Sequence, residues 1–209
     1  MKTEVFNKEN FALENIEDLG YLMGFIIGDG NLSSKYLVRA VEENEKFVRE
    51  VFVRKFSNVF NREPKVYFDA YNNSYVAYVN SKAIWMALRE LGIPSGDKSK
   101  TVRVPQSTKN NSKMRRAIAS GLFDAEGSIV VMKDSHHKNG YPRIQLKVHN
   151  HGLAEDIFEI LESEGIKSKL YNYAEFSMIQ INGKKQLSVF SDRIGFQHPI
   201  KAKKLSVLL

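Results

Sequence analysis

The sequence predicts an α+β fold in which one αββαββα unit is built twice. Three observations predict it. Residues 19–32, LGYLMGFIIGDGNL, lie without a gap over residues 116–129, RAIASGLFDAEGSI. The same order of helical and strand patterns follows each copy. Between them, residues 92–113 are rich in Gly, Pro, Ser, Asn and Lys, the composition of a connection. The chain is therefore expected to divide into an N-terminal half at 1–94, a linker at 95–112 and a C-terminal half at 113–209.

Each element has its own signal. Tyr21 to Gly28 is a continuous apolar and glycine run suited to a buried helix. YLVRAV (36–41) alternates as a strand, and NEKFVREVFVRKFSNVF (44–60) has the spacing of an amphipathic helix. KVYFDAYNNSYVAYVN (65–80) reads as an aromatic hairpin, and SKAIWMALRELGIP (81–94) as a closing helix. The second half repeats the series with PRIQLKV (142–148), GLAEDIFEILESEGI (152–166), KSKLYNYAEFSMIQIN (167–182) and KKQLSVFSDRIGFQHP (184–199). Both halves end in a lysine-bearing tail, KSKTV (98–102) and KAKKL (201–205).

Composition narrows the function. With 43% hydrophobic and 11% aromatic residues, the 209-residue chain has ample material for a packed core. Its apolar runs are far shorter than the roughly 20 residues that span a bilayer, and MKTEVFNKENFALEN lacks the apolar core of a signal peptide, so a soluble, cytoplasmic protein is expected. Without cysteine there are no disulfides and no thiolate zinc sites, and any metal must be held by oxygen or histidine nitrogen. The net charge of +7 is uneven. Residues 1–105 hold 15 Lys/Arg against 14 Asp/Glu, while 106–209 hold 16 against 10. The basic second half suits a polyanionic partner.

The repeat places an acid where a helix dislikes one. Asp29 and Glu126 are equivalent, 97 residues apart, each at the carboxyl end of the motif helix, where a negative charge costs roughly 0.3–1 kcal/mol against the dipole. A single Asp-Gly is a common turn dipeptide, with Gly30 then the left-handed residue that stops a helix. A repeated acid asks for more. Gly24 and Gly28, like Gly121 and Ala125, lie one turn apart on a small-residue face, so the two helices can pack closely. Packed in parallel, they bring the two carboxylates together, and a divalent cation relieves the repulsion. Oxygen ligation points to Mg2+ or a similar hard cation, and a basic surface to phosphate as substrate. Phosphodiester hydrolysis fits both.

LMGFIIGDG (22–30) and ASGLFDAEG (119–127) resemble the paired signature motifs of the LAGLIDADG homing endonucleases. The flanking LGIPSGDKSKTVRVP and IGFQHPIKAKKL resemble those of archaeal intron- or intein-associated members, and the isolated chain reads as the intron-encoded type. The resemblance implies a monomer with a pseudosymmetric saddle of two four-stranded antiparallel sheets over a long double-stranded DNA target, the motif helices at its centre. It implies a double-strand cut leaving short 3′ overhangs, with Mg2+ or Mn2+ held by Asp29 and Glu126 and the carbonyls of Gly28 and Ala125 as further ligands. Asp124 matches Ile27 in the other copy and is expected to be structural. Glu42 and Asn150 match the polar position that follows the second strand near the attacking water, although glutamate departs from the usual amide or base and capping of the helix at 44 is favoured for it. Lys82, Lys98, Lys184 and Lys201 are candidates for the basic residues near the scissile phosphates. The alternatives are an intron RNA maturase or a non-cleaving DNA-binding regulator of the same fold.

Strand alternation suggests which side chains face the nucleic acid. Arg143, Gln145 and Lys147 oppose Ile144, Leu146 and Val148, and Arg39 opposes Val38 and Ala40. Lys65, Tyr67, Asp69 and Tyr71, and then Lys169, Tyr171 and Tyr173, fall on the same side of their hairpins. His136-His137 and His149-Asn150-His151 have no acid at a defined spacing and are not expected to bind metal.

Overall fold

The computed structural model describes residues 15–98, 100–108, 110–133 and 140–209. His136 and His137 lie outside the described residues. In chain order the elements are α1 (Ile16–Asp29), β1 (Gly30–Leu32), β2 (Leu37–Glu42), α2 (Glu45–Phe47), a π-wound turn (Val48–Val53), α3 (Arg54–Phe60), β3 (Lys65–Asp69), β4 (Ser74–Asn80) and α4 (Lys82–Glu90). After a short 3-10 turn (Gln106–Thr108) come α5 (Ser112–Glu126), β5 (Gly127–Met132), β6 (Tyr141–Val148), α6 (His151–Ser163), β7 (Ser168–Asn172), β8 (Ser177–Asn182), α7 (Lys184–Arg193) and α8 (Pro199–Leu208). Two antiparallel four-stranded sheets result, ordered β1-β2-β4-β3 and β5-β6-β8-β7. Alternation sets the faces: in β6 Pro142, Ile144, Leu146 and Val148 are buried while Lys147 is exposed, so one face of the sheet packs on helices.

The two motif helices form the centre. Every residue from Leu19 to Ile27 is buried, more than a helix on a surface would allow, because α1 is covered on one side by its own sheet and α2–α3 and on the other by α5. Glycine permits the contact. A methyl group on Gly24 would stand 2.0 Å from the carbonyl oxygen of Ile118, and one on Gly121 2.1 Å from that of Tyr21. Gly24 and Gly121 are equivalent in the repeat, and so are Tyr21 and Ile118, so the helices make the same contact in both directions. They run parallel: Gly20 meets Met114 and Ala117 at one end, and Gly28 meets Ala125 and Glu126 at the other.

Gly30 and Gly127 are not left-handed helix stops. Both are extended, with φ of −98° and −79°, and the helix enters the first strand of its sheet with no intervening turn. Their glycine character comes from proximity, since a Cβ would sit 2.5 Å from Ile26 Cα and 2.4 Å from Phe123 O respectively. Asp29 and Glu126 are thus the last helical residues.

Two segments differ from the sequence pattern. The connection between the halves packs along α6: Val102 and Val104 are buried, the Arg103 guanidinium holds both Asp156 oxygens at 2.8 and 2.7 Å, and Val102 O accepts from Asn150 Nδ2 at 2.7 Å. Its polar composition suits a strap whose backbone bonds to side chains. The KAKKL tail is part of a helix, α8, started by Pro199 in its first turn and anchored by Asp124 Oδ2, which accepts from the N–H groups of Gln197 and His198 at 2.9 and 3.0 Å. No helix among the described residues is long and apolar enough to cross a membrane.

Candidate functional site

Each motif helix ends in carbonyls that a lysine has collected. Lys98 Nζ donates to Gly28 O at 3.0 Å and also to Ile26 O and Gly30 O, while Lys201 Nζ donates to Phe123 O at 3.4 Å, to Ala125 O at 3.2 Å and to Asp124 O. Three N–H donors meet three backbone carbonyls at each end. An ammonium also offsets the negative pole of the dipole, and this is what makes an acid at that position tolerable. Gly28 and Ala125 carbonyls, expected as metal ligands, are therefore already engaged by lysine and have only a second lone pair to offer.

The two carboxylates keep an open face to solvent, yet protein crowds them from behind. Among the described residues neither receives a hydrogen bond. Burial, then the charge of Glu126, then that of Glu42 push the Asp29 carboxyl up to about 6, with Lys201 and Lys98 opposing. Burial raises Glu126 too, moderated by Lys98, Lys201 and His149. Burial in turn draws the Lys98 ammonium down to about 8 against the pull of both acids. Among the described residues no three or more Asp, Glu or His side chains cluster as a metal cage. Two desolvated acids without donors fit a hard cation of the Mg2+ kind, which is held by one or two carboxylates and completes its shell with water and substrate phosphate.

Four other expected residues are placed differently. Ladder register pairs Gly30 with Ala40 and Gly127 with Leu146, so Glu42 is equivalent to Val148, and Asn150 to Asn44. Asn44 and Asn150 are helix caps, their Oδ1 atoms accepting from Phe47 N–H at 2.8 Å and Leu153 N–H at 3.1 Å. With its Nδ2 on Val102 O at 2.7 Å, Asn150 has both amide atoms engaged in the structure. Glu42 does not cap the helix itself; Oε1 accepts from the N–H groups of Glu43 and Asn44 at 2.8 and 3.1 Å, and His198 Nε2 lies 3.7 Å away. Burial works to raise its pKa, but the bonds to His198 and to these backbone N–H groups prevail and hold it low. Lys82 and Lys184 are exposed at the starts of α4 and α7, Lys82 over the Tyr36 ring at 5.6 Å, and neither joins the helix ends. Asp124 is fully buried and takes the Tyr21 hydroxyl proton donor at 2.6 Å across the helix interface, a structural role.

Residues 113–195 match the model of the LAGLIDADG-like domain. The chain as a whole superposes on I-DmoI in complex with DNA and Mn with a TM-score of 0.64 at 19% identity, covering 88% of this chain and 99% of that one. The C-terminal half thus contains a LAGLIDADG-like domain. The homing endonuclease I-WcaI, bound to its DNA recognition sequence, superposes with a TM-score of 0.58 at 15% identity over 93% of this chain and 87% of that one. At such identities the likeness is one of fold. In sequence, the chain is 28% identical to part of the glutamine–fructose-6-phosphate aminotransferase of Methanocaldococcus jannaschii and 26% identical to part of the tRNA-splicing ligase RtcB of Pyrococcus furiosus. These matches cover 97% and 90% of this chain but only 18% and 22% of the relatives, so it spans less than a quarter of their length.

The outer faces of the two sheets carry the expected polar side chains in rows that only register reveals. Asn31, Arg39, Tyr78 and Lys65 stand side by side across one sheet, and Ser128, Gln145, Gln180 and Lys169 form the equivalent row on the other. The next row joins Val41, Val76 and Tyr67, against Lys147, Met178 and Tyr171. Arg143 is one row further out, beside Asn182. Tyr71 projects from its hairpin tip, 94% exposed, and Tyr173 stacks on Phe176 at 4.7 Å with Lys147 Nζ 4.0 Å over the latter ring. Asp69 is removed from this face: Oδ1 accepts from Tyr71 and Asn72 N–H and Oδ2 from Asn72 Nδ2, so it builds its own turn. Tyr78 and Gln180 were not expected, because β4 and β8 show no clean polar–apolar alternation in sequence.

Proposed function

We propose that this protein is a site-specific double-strand DNA endonuclease, a homing endonuclease acting as a monomer whose two halves each serve one strand of a long asymmetric target. The observation that carries this reading is the pair of partly desolvated carboxylates, Asp29 and Glu126, which have no hydrogen-bond donor among the described residues, at the abutting ends of two parallel helices. Around them two four-stranded sheets present Arg, Lys and Tyr rows suited to phosphate and base edges. DNA and Mn, Ca or Mg accompany the I-DmoI structures that share the fold, which supports Mg2+ or Mn2+ as the cofactor. Similarity to a segment of an aminotransferase and of an RNA ligase, which have no chemistry in common, supports a self-contained mobile module of archaeal intron or intein type.

Asp29 and Glu126 would hold the cation, which supplies an acidified water and charge neutralisation at the scissile phosphate. Around it the chain's own groups orient the backbone: the sheet rows fix register, while Lys98 and Lys201 place positive charge at the two helix ends. In the hydrolysis the water oxygen bonds to phosphorus, the P–O3′ bond breaks, and a proton ends on the departing 3′ oxygen. In Asp29→Asn or Glu126→Gln, cleavage should fall to background while duplex affinity measured in Ca2+ changes little. Full cleavage by either variant would sink the assignment.

A further inference from the structure

The two lysine-bearing tails start alike and then part. Lys98 and Lys201 follow the equivalent glycines Gly92 and Gly195 at the same distance, so Val102 corresponds to Leu205 and Val104 to Val207. Val102 and Leu205 are both buried. In the first half the chain then lies along α6 as the strap. Val102 O accepts from the cap residue Asn150, and Val104 is 6% exposed. Arg103 covers Gly152 so closely that a Cβ there would stand 2.6 Å from its Nη1. In the second half the chain continues as a helix instead: Leu205 O is taken by Leu209 N–H at 3.2 Å, and Val207 is 77% exposed. Between α8 and the start of α2 this leaves an open cleft of about 610 Å3.

The cleft keeps what the strap uses on α6 and inverts the charge. Asn44, the equivalent of Asn150, caps α2 through Oδ1, but among the described residues its Nδ2 donates to no acceptor. Lys46 stands in the place of Gly152, the residue that Arg103 covers. Ile200, 60% exposed, and Val207 present an apolar face on the side of α8 away from buried Leu205, with Lys203 and Lys204 beside them. Of the nearby acids, Glu45 is paired with Arg49 at 2.9 Å and Glu50 with Lys46 at 3.7 Å, and neither these nor Glu43 lines the cleft.

We propose that this cleft docks an extended segment of another protein, one with apolar side chains at alternate positions and an acid between them, seated on α2 and α8 as the strap is seated on α6. An extended segment turns successive side chains to opposite sides, as Val102, Arg103 and Val104 do in the strap. Charge selects the acid, because α6 offers Asp156 to Arg103 whereas the cleft offers lysines. The apolar lining favours polypeptide over a phosphate backbone, which would leave Ile200 and Val207 no apolar surface to bury against. The inference does not depend on the endonuclease reading.

Fluorescein-labelled peptides of residues 101–108, one with the natural sequence and one carrying Arg103→Glu, test this when titrated with the full chain and read by anisotropy. The Arg103→Glu peptide should bind the wild type with a dissociation constant below about 1 mM. Its advantage over the natural peptide should be about threefold, the size of an exposed charge contact. Lys46→Glu should reverse that preference. Val207→Asp, a change at an exposed position, should weaken the Arg103→Glu peptide about tenfold while the melting temperature stays that of the wild type. No binding below about 1 mM, equal affinity for the two peptides, or a preference that Lys46→Glu leaves as it was would overturn the proposal. It also falls if a non-specific duplex displaces the peptide and is itself weakened equally by Val207→Asp, since the cleft then belongs to nucleic acid. A wild-type dimer in sedimentation that Val207→Asp dissociates would assign the cleft to a second copy and overturn it too.

Discussion

The two halves agree where their backbones touch and diverge one shell further out. Gly24 meets Ile118 as Gly121 meets Tyr21, and Lys98 collects the carbonyls of α1 as Lys201 collects those of α5. Beyond that, Tyr21 donates to Asp124 whereas their equivalents Ile118 and Ile27 are apolar, and Glu42 faces Val148 in the comparison. The difference teaches where symmetry is enforced. Two helices with carbonyls about 2 Å from a hypothetical methyl tolerate no side chain, so the repeat is held there by sterics. Groups that act through charge or one hydrogen bond have more latitude, and there the halves have separated.

The largest effect is expected at the axis. Gly24→Leu and Gly121→Leu should each cost well over the roughly 1–3 kcal/mol of ordinary overpacking, because the obstruction is backbone rather than a movable side chain. Thermal melts should show losses of similar size for the two variants. A variant that melts like the wild type would break the claim of reciprocal contact.

Smaller and dependent on pH is the effect of the acids. Asp29 has its carboxyl raised from 3.8 to about 6 in the fold, so its stabilising contribution is complete below about pH 3.8 and is lost as pH rises through 6. Without divalent metal, Asp29→Asn should therefore gain stability over the wild type at pH 7–8 and show little gain at pH 4, in denaturant midpoints. The gain from Glu126→Gln should be smaller, since Lys98 and Lys201 relieve both acids but His149 relieves Glu126 alone, while Glu126 and Glu42 both press on Asp29. Curves that stay parallel from pH 4 to pH 8 would contradict the desolvated pair.

Least in size, and sharpest in locating the asymmetry, is the salt dependence of DNA binding. Lys147 occupies the row position that Val41 holds in the first half. Lys147→Met should flatten the slope of log affinity against log salt by about 0.9, the contribution of one neutralised phosphate on duplex DNA, without altering sequence preference. An unchanged slope would mean that this basic row does not reach the backbone.

Much of this was legible in the chain itself. The ungapped pairing of LGYLMGFIIGDGNL with RAIASGLFDAEGSI carries the motif helices, their small-residue contact and the equivalence of Asp29 and Glu126, because a repeated helix face needs only local periodicity to be read. Alternation in β2 and β6 likewise marks Arg39, Gln145 and Lys147. The capping bonds of Asn150, a position the resemblance suggested, were not legible, because an asparagine before a helix looks the same whatever its amide atoms meet. Alternation missed the turn-building role of Asp69, a carboxylate that bonds its own turn being indistinguishable in sequence from an exposed one.

From the sequence alone, then, come the twofold unit, the paired acids at unfavourable helix ends and the basic excess of residues 106–209. Each is a pattern in neighbouring residues, set by helix period, strand period or formal charge. Tertiary structure decided which lysines reach the motif-helix ends, Lys98 and Lys201 rather than Lys82 and Lys184, and which residue of the first half corresponds to Val148. These are long-range facts: Lys98 Nζ reaches Gly28 O across 70 positions and Lys201 reaches Ala125 O across 76. A lysine in a polar tail carries no local mark of the carbonyls it will meet, because that meeting depends on where the helix ends lie once the two halves have packed.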